Sequence, residues 1–310
     1  MKIKISFILL LSVVLVINFS NCSKSNNNGD DDKIPIALSS KVTVEIRNST
    51  VQDIQIAGNQ QVSFFVTKTS SISELVYDNA ILSADGDGGF SYSYEGQSIL
   101  YYPTEPGNVD FYAIHPYNEN ITLGNTTNFK VNRNQTVLKD FFDSDLLFSR
   151  VLDVAKTRNT VAMTFNHKLC KINFIIKKGV GIDLNTLSSI NIQNVIAEID
   201  MNTSDGTLVP ISAVAGNIEV YGVQGTSGNE ISGMAAIIVP QTFTAEANKR
   251  LFKLTINNVD YFYTPTTNIT FESGKKYNYT LTVNNSGIEV SSEIVDWIPG
   301  GDTEGEVTVD

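Results

Sequence analysis

Histidine, cysteine and tryptophan are nearly missing from this chain: two, two and one among 310 residues. Two cysteines cannot build a disulfide framework, and two histidines leave little for metal or acid–base chemistry. Charged residues are also scarce, at 18% against a usual ~25%, which excludes a long-helix protein. Bases are outnumbered 22 to 33, for a net charge of −11. Such a chain has no electrostatic footprint for phosphate backbones, so nucleic acid is excluded as a partner. What is present is apolar: 42% hydrophobic residues suffice for a core and exclude wholesale disorder. The length suits one large domain or two ordinary ones.

The longest apolar run, Ile5 to Phe19, follows Lys2 and Lys4. It is shorter than the ~20 residues that span a bilayer, so residues 1–21 read as a signal peptide. Cys22 stands directly after it, and the junction resembles a bacterial lipoprotein lipobox of the relaxed Bacteroidetes kind. Asn21 takes the place where Gly or Ala is usual. Cys22 is therefore the expected lipidation site, since two acyl chains already hold a protein stably in a membrane. Residues 22–33, rich in Ser, Asn, Gly and Asp, form a solvated tether.

Beyond Lys33 the pattern is strand after short strand. Val42, Val44 and Ile46 alternate with polar residues, as do Phe90 to Tyr94, Leu251 to Ile256 and Tyr277 to Val283; period 2 marks a half-buried strand. Val109 to Ile114 and Met234 to Val239 are nearly continuous apolar runs, expected for strands covered on both faces. Turn signals separate them, among them Asp85 to Gly89 and Ser204-Asp205-Gly206. Only Val137 to Phe142 and Gly181 to Ser189 offer a turn or two of helix. The expected fold is all-β, with two β-sandwich domains at 34–155 and 156–310. The boundary falls in the polar, non-alternating stretch Leu152 to Asn159. Phe111, Ile114, Phe165, Ile172, Phe174, Leu254, Ile256 and Leu281 are the expected core.

Catalytic and metal signatures are weak. His167 and Cys170 are three apart, and on one strand they would face opposite sides, so Cys170 reads as a buried, inert thiol. His115 reads as a structural histidine at the end of a buried strand. Neither histidine is accompanied by a nucleophile elbow. Gly274-Lys275 lacks the upstream glycine of a P-loop, and Asp85 to Gly89 lacks the later acidic ligand of an EF-hand. No cofactor and no enzymatic activity are expected.

Several phrases together point further. Ile99 to Pro103 runs on to Val109 through Tyr117, Asp145-Leu146-Leu147 precedes Thr164 through Ile172, and Gly274 through Tyr279 precedes Gly287 through Val290 and Ile294 to Trp297. In this order, behind a lipobox, they resemble the fimbrillin-like lipoproteins of Bacteroidetes. The resemblance covers about residues 40–297. It implies two transthyretin-like sandwiches and a structural subunit or anchor of a surface fimbria. The implied partners are other fimbrial subunits, the outer membrane through Cys22, and surface ligands. The alternative is a glycan-binding surface lipoprotein of a polysaccharide-uptake system. The resemblance also implies assembly by strand exchange after a protease removes the first strand. Here Val42, Val44 and Ile46 form a candidate displaced strand, Arg47 the candidate cut, and Ile288 with Val290 or Val307 with Val309 the candidate donors.

Overall fold

The computed structural model describes residues 33–41, 55–92 and 98–297. Its first strands are β1 (Leu38–Lys41), β2 (Gln61–Lys68), β3 (Ser71–Ala84), β4 (Phe90–Ser91), β5 (Val109–His115) and β6 (Thr126–Lys130). Helix α1 (Leu138–Asp143) leads into β7 (Leu147–Val154), β8 (Val161–Thr164), β9 (Asn166–His167) and β10 (Cys170–Lys178). Then come β11 (Leu187–Val195), β12 (Glu198–Asn202), β13 (Leu208–Val209), β14 (Gly216–Glu219), β15 (Glu230–Ile238) and β16 (Gln241–Phe243). The last are β17 (Phe252–Ile256), β18 (Val259–Tyr263), β19 (Ile269–Phe271), β20 (Lys275–Asn284) and β21 (Gly287–Asp296). The chain is all-β, built as packed sheets. Among the described residues no helix is long and apolar enough to cross a membrane.

One expected helical stretch keeps its length, shifted by one residue, and the other shrinks. Val137 to Phe142 becomes α1, which turns Phe141 and Phe142 into the core. Gly181 to Ser189 yields only a 3-10 turn at Leu184–Thr186, where the Asp183 carboxylate accepts from the Asn185 amide. The strand β11 begins directly afterwards because Leu187, Ile190 and Ile192 are buried in the core.

The N-terminal half centres on the six-stranded sheet β4-β3-β2-β5-β7-β9, antiparallel throughout. The C-terminal half pairs β15-β10-β20-β21, in which only β10 and β20 run parallel, with β14-β11-β17-β18. In β20 the alternation is strict: Tyr277, Tyr279, Leu281 and Val283 point inward, as period 2 demands. Smaller pairings join the halves across the expected boundary at 155/156. Strand β6 pairs with β12, β8 runs parallel to β1, and β9 extends β7. The polar stretch from Leu152 is not a break at its start, since Leu152 to Val154 complete β7. Leu152 is half exposed there, so the strand needs no inward apolar residue at that point.

The described residues form two hydrophobic clusters, and every expected core residue is buried. Phe111 and Phe165 belong to the smaller cluster with Ile36, Phe64, Leu82 and Met163. Ile114 belongs to the larger one, with Ile172, Phe174, Leu254, Ile256 and Leu281. The six-stranded sheet therefore serves both. Val62, Phe64 and Val66 of β2 and Phe111 and Ala113 of β5 face one cluster. Phe65, Tyr112 and Ile114, on the opposite face, enter the other. This double burial explains why β5 reads as a continuous apolar run: all seven of its residues are buried.

Candidate functional site

The segment Ile34 to Lys41 lies at the described start of the chain, next to Lys33, and buries Ile36, Leu38 and Ser40. Ile36 and Leu38 are 1% and 7% exposed, alternating with Pro35 and Ala37, which lie nearer the surface. Backbone hydrogen bonds hold it on both flanks. On one side the Ile36 amide donates to Leu100 O (2.8 Å), the Tyr102 amide to Ile34 O (2.9 Å) and the Ser40 amide to Gly88 O (2.8 Å). On the other, the Val161 amide donates to Ala37 O (2.9 Å), and β1 continues in parallel register from Leu38 opposite Val161 to Lys41 opposite Thr164. The Tyr92 hydroxyl also donates to Ile36 O. Burial, with Tyr102 and Tyr77 nearby, pushes its pKa up to about 12, so the proton stays in place for that bond.

This is the geometry of an added strand: main-chain bonds give adhesion to the groove, and alternate side chains fill pockets. Full burial of each aliphatic side chain contributes roughly 1.5–3 kcal/mol. Sequence reasoning missed this strand, and the alternation of Ile34, Ile36 and Leu38 is the signal that could have found it. It precedes the expected one: Val42, Val44, Ile46 and Arg47 lie outside the described residues, as do Cys22, Val307 and Val309.

At the other end, Ile288 and Val290 are placed in β21, opposite Val283 and Leu281 of β20. Both are half-buried against the larger cluster. The register runs without a shift from Asn284 opposite Gly287 to Lys275 opposite Asp296, and β21 is the edge of its sheet. Ile288 and Val290 are thus engaged by their own chain.

The two histidines meet at a residue that sequence reasoning did not connect with them. His115 Nδ1 donates to the Asp145 carbonyl (2.7 Å), and its Nε2 lies 3.1 Å from the Gln60 side-chain amide. Burial lowers the His115 pKa, against an opposing pull from Asp145. His167 Nδ1 lies 2.9 Å from the Asp145 carboxylate, with both side chains fully buried. Its ring stacks on Trp297, with centroids 3.7 Å apart, and the Trp297 amide donates to Gly274 O. The cluster ties the end of β21 to the N-terminal sheet.

Cys170 lies at the start of a different strand from His167, and its thiol donates to Glu272 O (3.0 Å). Burial raises its pKa strongly, away from the reactive thiolate. Asp85 closes the expected turn on itself, its carboxylate accepting from the Asp87 (2.7 Å) and Gly89 (2.9 Å) amides. Those bonds hold its pKa below the usual carboxylate value. Among the described residues no group of three or more His, Cys, Asp or Glu is arranged to hold a metal ion.

Residues 47–297 match the model of the fimbrillin-like family. A candidate fimbrium subunit of Bacteroides uniformis, Fim1C, is 30% identical over 219 residues, covering 66% of this chain and 67% of that one. Two solved structures share the fold. A candidate cell adhesion protein of Bacteroides uniformis superposes with a TM-score of 0.64 at 23% identity, covering 86% of this chain and 100% of that one. Another from Bacteroides ovatus gives 0.67 at 19% identity, covering 86% and 98%.

Proposed function

The chain belongs to the fimbrillin-like family, and from that premise we propose that it is a subunit of a cell-surface fimbria that supports adhesion. In this reading the leader 1–21 directs export, Cys22 carries the lipid that holds the precursor at the outer membrane, and other fimbrial subunits are its partners. The family match favours this over a polysaccharide-uptake lipoprotein.

The observation that carries the assembly step is the seat of Ile34 to Lys41. The segment is bonded on both flanks and plugs the smaller core with Ile36 and Leu38. A cut after Arg47 separates it, with the lipid, from the rest of the chain. Its departure leaves unpaired strand edges beside apolar pockets, which invites a strand from another subunit. Because Ile288 and Val290 already pair with β20, Val307 and Val309 are the donors this reading favours.

Limited trypsin treatment of the purified full-length protein tests it. The expected result is one early cut after Arg47, loss of the 34–41 segment and concentration-dependent multimers. Resistance at Arg47, or a cut that leaves a stable monomer, overturns strand exchange. Metabolic labelling with a fatty-acid analogue tests the anchor: label that persists in Cys22→Ser removes it.

A further inference from the structure

A cleft of about 550 Å³ opens where the chain leaves β5, between the loop 116–121 and strand β6. Its volume falls within the ~300–1,000 Å³ of small-ligand sites. The floor is apolar, with Ile114 and Leu146 buried beneath it. Tyr117 and Phe129 line it as half-buried rings. The rest of the lining is four asparagines, two carboxylates and Lys130, with Pro116, Ile121 and Thr127.

The polar groups of this wall are held but not saturated. The Asn118 amide donates to Ser63 Oγ (3.2 Å) and its carbonyl accepts from Asn79 Nδ2 (2.9 Å). Its side-chain oxygen accepts from the Asn120 amide (2.9 Å). Asn128 donates its Nδ2 to Asp200 (2.9 Å), and Asn132 donates its Nδ2 to Asp140 O (3.0 Å). These bonds orient both side chains, while among the described residues neither Oδ1 has a partner. The same holds for the Tyr117 hydroxyl, the Asn120 side chain and the Glu119 carboxylate. The other charges are neutralised: Lys130 pairs with Glu198 (3.2 Å), and Lys139 with Asp143. Glu119 is the one charge of the wall without a counter-ion among the described residues.

We propose that this cleft binds a neutral saccharide. A pyranose presents an apolar C–H face, which suits a tyrosine ring, and hydroxyls that donate and accept at once. Pre-oriented amide oxygens beside unpartnered donors match that edge, and pre-ordering lowers the cost of binding. The uncompensated Glu119 sets the sign, because a like charge placed against it is penalised. Sialylated, sulfated and uronate sugars are therefore refused. The proposal goes beyond fimbrial assembly and does not rest on it, since the cleft lies within one uncut monomer.

The test is a printed array of neutral, sialylated and sulfated oligosaccharides probed with the uncut monomer, followed by titration of the best neutral glycan. Neutral glycans are expected to bind in the micromolar to millimolar range, a level typical of modest affinities. Tyr117→Ala should weaken binding about tenfold, in line with the worth of an aromatic contact. Asn120→Ala should weaken it several-fold, and that side chain is exposed, so the fold is kept even where Tyr117→Ala is not. Glu119→Lys should admit sialylated glycans that the parent refuses. The proposal is overturned by no neutral binding at millimolar glycan, by a parent preference for acidic glycans, or by capture of peptides alone. Binding that survives both Tyr117→Ala and Asn120→Ala overturns it as well.

Discussion

In the larger core, which holds Phe174, each of the two main sheets is closed at one edge by a hairpin. The hairpin of β20 and β21 runs ten residues in register, and β17 turns straight into β18. Around Phe111 the seal is different. Ile36 and Leu38 come from the start of the described chain, and β1 finds its parallel partner β8 about 120 residues later. A parallel pair cannot be closed by a hairpin, so nothing local holds β1 in place. The larger core is thus completed by connections that cannot leave without unravelling a sheet. The smaller one is completed by the segment at the described start, which in the proposed reading departs after the cut. That difference is why the proposal places exchange in the N-terminal half.

The largest effect is expected in the self-sealed core. Phe174 is buried, in edge contact with Phe252 at 5.1 Å. Phe174→Ala should cost about 3–5 kcal/mol, read as a lower urea midpoint with an unchanged slope. Both halves should unfold together, because β2 and β5 carry residues of both cores; two separated transitions would break the comparison.

Ile36→Ala sharpens it. The loss should be about 2–4 kcal/mol, but local. The Tyr102 and Val161 amides, which donate to Ile34 O and Ala37 O, should lose hydrogen-exchange protection first. Amides of β20 should keep theirs. Equal loss in both places would mean that the segment is no more detachable than β21.

Gly206 tests the link between the halves. Its φ is +71°, and a Cβ there would stand 2.7 Å from the Phe148 ring of the six-stranded sheet. Gly206→Ala should destabilise by about 1–3 kcal/mol through strain and clash, seen as a lower melting temperature.

The smallest effect concerns His115. Its folded pKa lies below the ordinary 6.5, chiefly because the ring is buried. Below about pH 6.5 the unfolded chain therefore binds a proton that the folded chain refuses. Stability present above pH 6.5 should fall as the pH drops from there toward the lower folded value. In His115→Gln that part of the slope should vanish from denaturation curves taken between pH 7 and 5; an unchanged slope assigns it to other groups.

Much of this was legible in the chain. Alternation in β20 and the apolar run of β5 identified inward residues correctly, because period 2 is a local property of an extended backbone. Asp85 and Asp205 marked real turns: each carboxylate accepts from an amide two residues on. Less was legible where partner choice mattered. Leu152 to Val154 looked like a break, yet the ladder to β5 carries through Val154 opposite Val109. Nothing in Phe129 or Ile199 announces that β6 leaves its own half to pair with β12. The saccharide cleft was invisible for the same reason, since Tyr117, Asn128 and Asn132 lie on a loop, a strand and the segment after it.

The sequence alone determined that the chain is all-β, which residues point inward along each strand, and where it turns. Those are consequences of side-chain period and turn chemistry over a few residues. Only the tertiary structure decided that one sheet serves two cores, that β1 is seated beside β8, and that Asp145 joins both histidines. Backbone amides and carbonyls are alike at every position, so which strands they join depends on the burial achieved by the whole chain, not on any short stretch of it.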